Sequence, residues 1–194
     1  MNLLRKSHIH TYKADEYATS EDFCKLFTEG MAGLYQLSFV LTANHEKAEQ
    51  CFVAGLEDCV KGNSVFKQWA RAWAKRMVLK NAIRRMAPFP NSDSGSLAGT
   101  DPEVDGRRLA AQDQHAAIAS VLLLGDFDRF VFVMSVLERY TEKECSLLLG
   151  CSQQEVREAR MRAQQQIAEY TQHDAARVEH LIQSSSRSPE MLVQ

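Results

Sequence analysis

Cationic side chains concentrated between residues 64 and 86 are the first feature of this chain that could do chemistry. The stretch carries seven Lys and Arg residues and two Trp residues, and it contains no Asp or Glu. Cations without neighbouring acids attract polyanions, and aromatic rings among them can stack on unpaired bases. The stretch therefore predicts a nucleic-acid contact through the following side chains: Lys67, Arg71, Lys75, Arg76, Lys80, Arg84 and Arg85.

The first half of this basic stretch has the spacing of an amphipathic helix. At 100° per residue, Lys67, Arg71 and Lys75 fall on one side and the large apolar residues fall on another. Trp69 and Trp73 lie on the apolar side, so we predict that they belong mainly to the core. A basic helix face is often simply solvated, and this alternative stays open at the level of sequence.

The second half of the stretch follows a different pattern. Lys80 and Arg84 rotate onto the side that was apolar in the first half, while the apolar residues gather on the opposite side. This half is expected to pack elsewhere or to lie open. The nucleic-acid hypothesis depends on whether Lys80, Arg84 and Arg85 are exposed.

No other group of residues suggests catalysis or metal binding. The five Cys residues include no C-x-x-C pair, and the six His residues are scattered. There is no Gly-rich phosphate loop and no nucleophile with an evident partner. We therefore predict reduced, buried thiols, no metal site and no cofactor, and a chain that is not an enzyme.

Three helices are predicted in the first half of the chain, within residues 20–86. A helix capped by Thr19 or Ser20 carries a long apolar stripe to Leu41, a second runs from Glu46 to about Lys61, and the basic stretch is the third. No alternation typical of strands interrupts them. A three-helix bundle is the expected packing.

A change of composition separates this half from the next. Residues 87–114 hold three of the four prolines and a Ser-rich run, which is typical of a linker. A second helical unit is predicted at 115–170, followed by a tail at 171–194 into which the last helix can extend as far as Ile182. The predicted fold class is therefore all-α, with two small units joined by a flexible linker.

The second unit contains two capping-box signatures in succession. Thr141 with Glu144 opens one helix, Gly150 ends it, and Ser152 with Glu155 opens another that runs through Ile167. Two helices joined by a glycine-containing turn form a helix-turn-helix, although an ordinary helical hairpin has the same signature.

Hydropathy and the N-terminal composition bear on localisation. No apolar run approaches the roughly 20 residues that span a bilayer, and polar residues stand where a signal peptide would need its apolar core. We predict a cytoplasmic protein with no membrane contact.

Together the two halves resemble the extracytoplasmic-function sigma factors, the small promoter-recognition subunits of bacterial RNA polymerase. The resemblance lies in residues 21–37, 48–56, 66–85 and 147–163, which match three helices and a helix-turn-helix in the family's order. It implies a DNA-binding protein of transcription initiation whose partners are core RNA polymerase, promoter DNA and an anti-sigma factor.

The same resemblance assigns roles to particular side chains. The second helix would contact polymerase through Glu49, Gln50 and Val53, and the basic third helix would help to open the promoter's minus-ten element. The helix after the turn would enter the major groove of the minus-thirty-five element. Its predicted DNA contacts are Gln153, Gln154, Arg157, Arg160 and Arg162.

The charge balance supports an alternative function. Residues 20–86 have ten basic and seven acidic side chains, whereas residues 117–176 have six basic and nine acidic ones. An excess of three negative charges is unfavourable for binding DNA. A divergent sigma-fold protein that serves protein–protein interaction or regulation without promoter recognition is therefore the second hypothesis.

Overall fold

The computed structural model describes residues 16–62, 64–90 and 118–185, with side chains up to residue 172, and this part of the chain is all-helical. The chain divides into two compact units, residues 1–88 and 89–194. Residues 1–15, most of the predicted linker at 87–114 and the last nine residues lie outside the described residues. The linker therefore stays a prediction.

In its described residues, the first unit has four α-helices: α1 (Ser20–Glu29), α2 (Met31–Thr42), α3 (His45–Lys61) and α4 (Ala70–Met86). The prediction of one helix from residue 20 to 41 was wrong, because Gly30 leaves helical geometry and separates α1 from α2. The Gly30 N–H closes α1 by donating to the carbonyl of Leu26 at 2.8 Å. A side chain there would lie 2.8 Å from the same oxygen, so the break requires glycine.

Helix α4 packs against the other three helices of the first unit. Seven of its residues are buried: Ala70, Ala74, Met77, Val78, Leu79, Asn81 and Ala82. The closest packing is between α4 and α3, where Gly55 of α3 faces Val78. Because a Cβ on Gly55 would come within 2.8 Å of Val78 Cγ2 and 3.2 Å of its backbone nitrogen, the two helices approach at a distance that only glycine permits.

In the second unit, a helical turn at 118–122 precedes α5 (Asp126–Phe132), which continues as a wider π turn (Val133–Leu137), then α6 (Glu142–Leu149) and α7 (Gln153–Ser185). Apolar side chains of α5, its π turn, α6 and α7 form the core. They include Phe127, Phe130, Val131, Met134, Cys145, Leu149, Val156, Ala159 and Ala163.

Both predicted capping boxes are confirmed. Thr141 and Glu144 exchange hydrogen bonds at the start of α6, and Ser152 and Glu155 do so at the start of α7. Gly150, at φ 68°, adopts the left-handed conformation between the two helices. Helix α6, this turn and the start of α7 thus have the helix-turn-helix form that the sequence predicted.

Helix α7 is longer than the predicted unit boundary at residue 170. It continues to Ser185, through much of the segment predicted as a tail at 171–194. No Pro or Gly occurs between residues 153 and 185, so nothing in the local sequence stops the helix. Within the described residues, no helix has the length and apolar character needed to cross a membrane.

Replacing Gly55 with Ala is expected to destabilise the first unit by about 1–3 kcal/mol, because the new methyl group would push α3 away from Val78. The matched control is Gly33→Ala in α2, where no atom would lie within 4 Å of the new Cβ. That change should stabilise the unit by up to about 1 kcal/mol. Both Trp residues belong to this unit, so urea unfolding followed by Trp fluorescence measures it alone. Equal stability of the two variants would contradict the close packing.

Candidate nucleic-acid interface

Helix α4 places three of the predicted cations on one line. Arg76, Lys80 and Arg84 stand at positions i, i+4 and i+8, so they follow one another along the helix at about 6 Å intervals. Lys80 and Arg84 are exposed and Arg76 is half-buried. We call these three side chains the α4 stripe. The nucleic-acid hypothesis requires Lys80, Arg84 and Arg85 to be exposed. All three are exposed.

The other predicted cations do not share this line. Lys67 lies in the short 3-10 turn before α4 (Lys67–Trp69) and its Nζ is 3.8 Å from a carboxylate oxygen of Asp22. Arg71 is exposed in the first turn of α4, and Lys75 is half-buried. The Nε of Arg85 donates to Gln50 Oε1 of α3 at 3.4 Å. The seven cations thus surround α4 instead of forming one face.

Five of these cations form no ion pair with a carboxylate in the described part of the first unit: Arg71, Arg76, Lys80, Arg84 and Arg85. The nearby carboxylate of Asp58 accepts a hydrogen bond from Asn81 Nδ2 at 2.9 Å, and Asn81 Oδ1 accepts one from Arg84 Nη1 at 3.4 Å. The neutral amide thus links the acid to the guanidinium. The charge of the α4 stripe remains available to a partner.

The tryptophans lie nearer the surface than the sequence predicted. Trp69 is 56% exposed and meets the ring of Phe66 edge-on, with ring centroids 5.2 Å apart. The prediction was wrong for Trp69 because regular α-helix starts only at Ala70, so the helical phase does not extend back to it.

Trp73 is half-buried and lines an open groove beside the α4 stripe. Lys61, Lys80 and Arg84 line the same groove. Over the part of the chain that the structure describes, the buried indole Nε1 of Trp73 has no hydrogen-bond partner. Trp73 therefore lies at the boundary between the core and the cationic surface.

The predicted polymerase contacts lie together on the outer side of α3. Glu49, Gln50 and Val53 are all exposed, whereas the opposite side of the helix buries Ala48 and Cys51. Gln50 donates to Glu46 at 3.3 Å and accepts from Arg85 of α4. This surface adjoins the C-terminal end of α4.

All three predicted arginines of α7 are already paired within the second unit. Glu142 of α6 accepts from Arg157 at 3.1 Å through one carboxylate oxygen and from Arg160 at 2.9 Å through the other. Asp128 of α5 accepts from Arg162 at 2.6 and 3.1 Å, which raises the pKa of this guanidinium. The sequence analysis missed both acids as partners, and only the acidic excess of the second unit pointed to them.

The predicted glutamines are at the exposed start of α7. Gln153 and Gln154 are both exposed, and Gln154 Nε2 donates to Glu158 Oε1 at 2.9 Å. The line farthest from the core, which we call the α7 crest, consists of Gln154, Glu158, Met161 and Gln165. The crest carries no cation, and Met161 is 60% exposed.

Three of the five thiols are buried as the sequence predicted, whereas Cys151 is half-buried and Cys24 is exposed. Cys51, Cys59 and Cys145 are buried, and burial raises the pKa of Cys59 to about 12 and that of Cys145 to about 11. Cys24 is exposed, contrary to the prediction. Over the described residues, no three His, Cys, Asp or Glu side chains are grouped so that they could hold a metal ion.

Comparison of the sequence with protein-family models and with curated proteins found no match. The assignment of function therefore depends on the geometry of the two units.

Replacing Glu155 with Ala is expected to destabilise the start of α7 in a pH-dependent manner. Hydrogen bonds from the backbone and hydroxyl of Ser152 lower the pKa of Glu155 below its ordinary value of 4.5. Its contribution is therefore complete above that value and is lost as the pH falls through the lower pKa of the folded state. Thermal unfolding followed by circular dichroism should show a lower Tm for the variant at pH 7 and a shrinking difference below about pH 4.5.

Glu169→Ala is the matched control, since Glu169 is exposed on the same helix and takes no part in a cap. A Glu155→Ala difference that stays constant between pH 7 and pH 3 would contradict the capping role of this carboxylate.

Proposed function

We propose that this chain is a sigma-factor-like transcription protein that binds promoter DNA through helix α4 together with core RNA polymerase. The observation that carries the proposal is the α4 stripe: Arg76, Lys80 and Arg84 stand in line along the helix, and no carboxylate of the described residues forms an ion pair with them, although Asp58 lines the groove beside Lys80 and Arg84. Cations that are not paired with acids gain affinity for DNA by releasing counterions from its phosphates.

The aromatic residues beside the stripe suit a strand whose bases are unpaired. Trp69 is exposed and Trp73 lines the groove next to Lys80 and Arg84. Holding a strand open requires both charge along its backbone and surfaces that keep bases from restacking. Glu49, Gln50 and Val53 on α3 provide the proposed polymerase contact, which would place α4 at the promoter.

The paired arginines of α7 favour a second candidate function. With Arg157 and Arg160 engaged by Glu142, the second unit presents the uncharged and acidic α7 crest. Such a surface suits a protein partner such as an anti-sigma factor better than a DNA groove. In this case the chain would keep the fold for protein interaction without recognising a promoter.

Charge reversal on the α4 stripe tests the DNA contact. We expect the double substitution Lys80→Glu with Arg84→Glu to weaken binding of promoter DNA, in the presence of core polymerase, by roughly tenfold or more, and to flatten its salt dependence. The control is Lys25→Glu with Lys143→Glu, which changes the net charge equally at exposed sites on α1 and α6. Equal losses in both variants would mean that the stripe is only a solvated face.

The polymerase contact is tested by co-purification. The chain should co-purify with core polymerase, and Val53→Glu should weaken the association because it places a charge within the exposed surface of α3. Met31→Glu, at another exposed apolar residue on α2, should leave the association unchanged. Transcription from promoter DNA no greater than with core polymerase alone would rule out the initiation function and support the second candidate.

A further inference from the structure

We propose that Glu142 is a positioning residue that holds Arg157 and Arg160 away from DNA phosphates, so that the second unit binds duplex DNA only when phosphate replaces this carboxylate. The inference rests on the proposed function, because it concerns how the second unit takes part in DNA binding. It assigns to one acid of α6 the control of two arginines of α7.

The geometry at Glu142 is that of a shared anion. Each of its carboxylate oxygens receives one arginine, at 3.1 Å from Arg157 and 2.9 Å from Arg160. Glu142 is the first residue of α6, and the capping box of Thr141 and Glu144 fixes the backbone beside it. Its side chain is only 26% exposed, so solvent screens this pair of contacts less than it screens an open surface pair.

Carboxylate and phosphate compete for arginine because both accept its parallel N–H donors in the same fork geometry. A guanidinium bound to Glu142 therefore has fewer donors for DNA, and part of its charge is already neutralised. Partly exposed ion pairs add little to stability, so the main consequence of these contacts is competition with an external anion.

Asp128 pairs with the third arginine, Arg162, as Glu142 pairs with the other two. It binds Arg162 through both carboxylate oxygens, and its side chain is 13% exposed. Because α6 supplies Glu142 and α5 supplies Asp128, acids of two other helices neutralise all three arginines. Among the described residues no carboxylate forms an ion pair with a cation of the α4 stripe, so the two units differ in the pairing of their cations and not only in net charge.

The surface that remains exposed on α7 cannot replace the paired arginines. The α7 crest offers Gln154, Glu158, Met161 and Gln165, among which the only charge is negative. A duplex approaching α7 would meet this crest first. Stable binding by the second unit must therefore free the arginines from Glu142 and Asp128.

The test measures the affinity of the full chain for a DNA duplex by fluorescence anisotropy at several salt concentrations. Glu142→Gln is compared with Glu169→Gln, an exposed site on α7 that makes the same change of net charge. Both are placed in the background of Lys80→Glu with Arg84→Glu, where α4 contributes least. We expect Glu142→Gln to bind about tenfold more tightly than Glu169→Gln. Its salt slope should be steeper by about 1.8, since each phosphate contact contributes about 0.9.

Further variants separate charge release from a change of fold. Adding Arg157→Gln and Arg160→Gln to Glu142→Gln should abolish the gain, and Asp128→Asn, which frees Arg162 alone, should steepen the slope by about 0.9. A gain that survives loss of the two arginines overturns the proposal. So does equal affinity and slope for Glu142→Gln and Glu169→Gln.

The outcome is independent of the DNA contact proposed for α4. That contact fails if Lys80→Glu with Arg84→Glu leaves binding unchanged in the otherwise unaltered chain. The role of Glu142 fails if releasing its arginines changes nothing once those two cations are gone.

Discussion

The close approach of α3 and α4 at Gly55 is the constraint on which the proposed interface depends. Since Val78 lies against the glycine backbone, one side of α4 is committed to the core, and residues on the opposite side must face outward. The helical repeat then determines which cations share that side, and Arg76, Lys80 and Arg84 do so. Packing therefore places three of the seven cations of this stretch in line on the side of α4 away from Val78, with Lys80 and Arg84 exposed and Arg76 half-buried.

The two units differ more clearly in whether their cations are paired with acids than in net charge. In the first unit, the amide of Asn81 lies between Asp58 and Arg84, and the α4 stripe keeps its charge. In the second unit, Glu142 and Asp128 neutralise the arginines that follow the turn. A helix-turn-helix form alone is thus poor evidence of DNA binding, because the state of its cations depends on neighbouring helices that are separate in sequence.

The sequence predicted correctly those features that depend on residues close to one another in the chain. The two capping boxes and the left-handed Gly150 depend on residues three or four positions apart, and both boxes form as predicted. The change of helical phase along the basic stretch is visible in the sequence, but it left open whether Lys80 and Arg84 are exposed, as the structure shows them to be. The all-α class was predictable, since every described helix carries its own apolar spacing or caps.

The sequence did not reveal the exact ends of several helices or the contacts between residues that are distant in the chain. Trp69 is exposed because α4 starts one residue after it, and the break at Gly30 depends on its contact with the carbonyl of Leu26. The pairing of Arg162 with Asp128 joins residues 34 positions apart, which no periodicity reveals. The sequence left the end of α7 open between Ile167 and Ile182, and the helix ends at Ser185, because a helix without a breaker has no marked end.

The most direct test of the central claim is the salt dependence of promoter DNA binding by the full chain with core polymerase. It should be compared between the unaltered chain and a variant with Arg76, Lys80 and Arg84 all replaced by Gln. If the α4 stripe binds the phosphates of an unpaired strand, the slope of log affinity against log salt should become shallower by about 2.1, since three contacts contribute about 0.7 each on single-stranded DNA. An unchanged slope would contradict the assignment of α4 as the nucleic-acid interface.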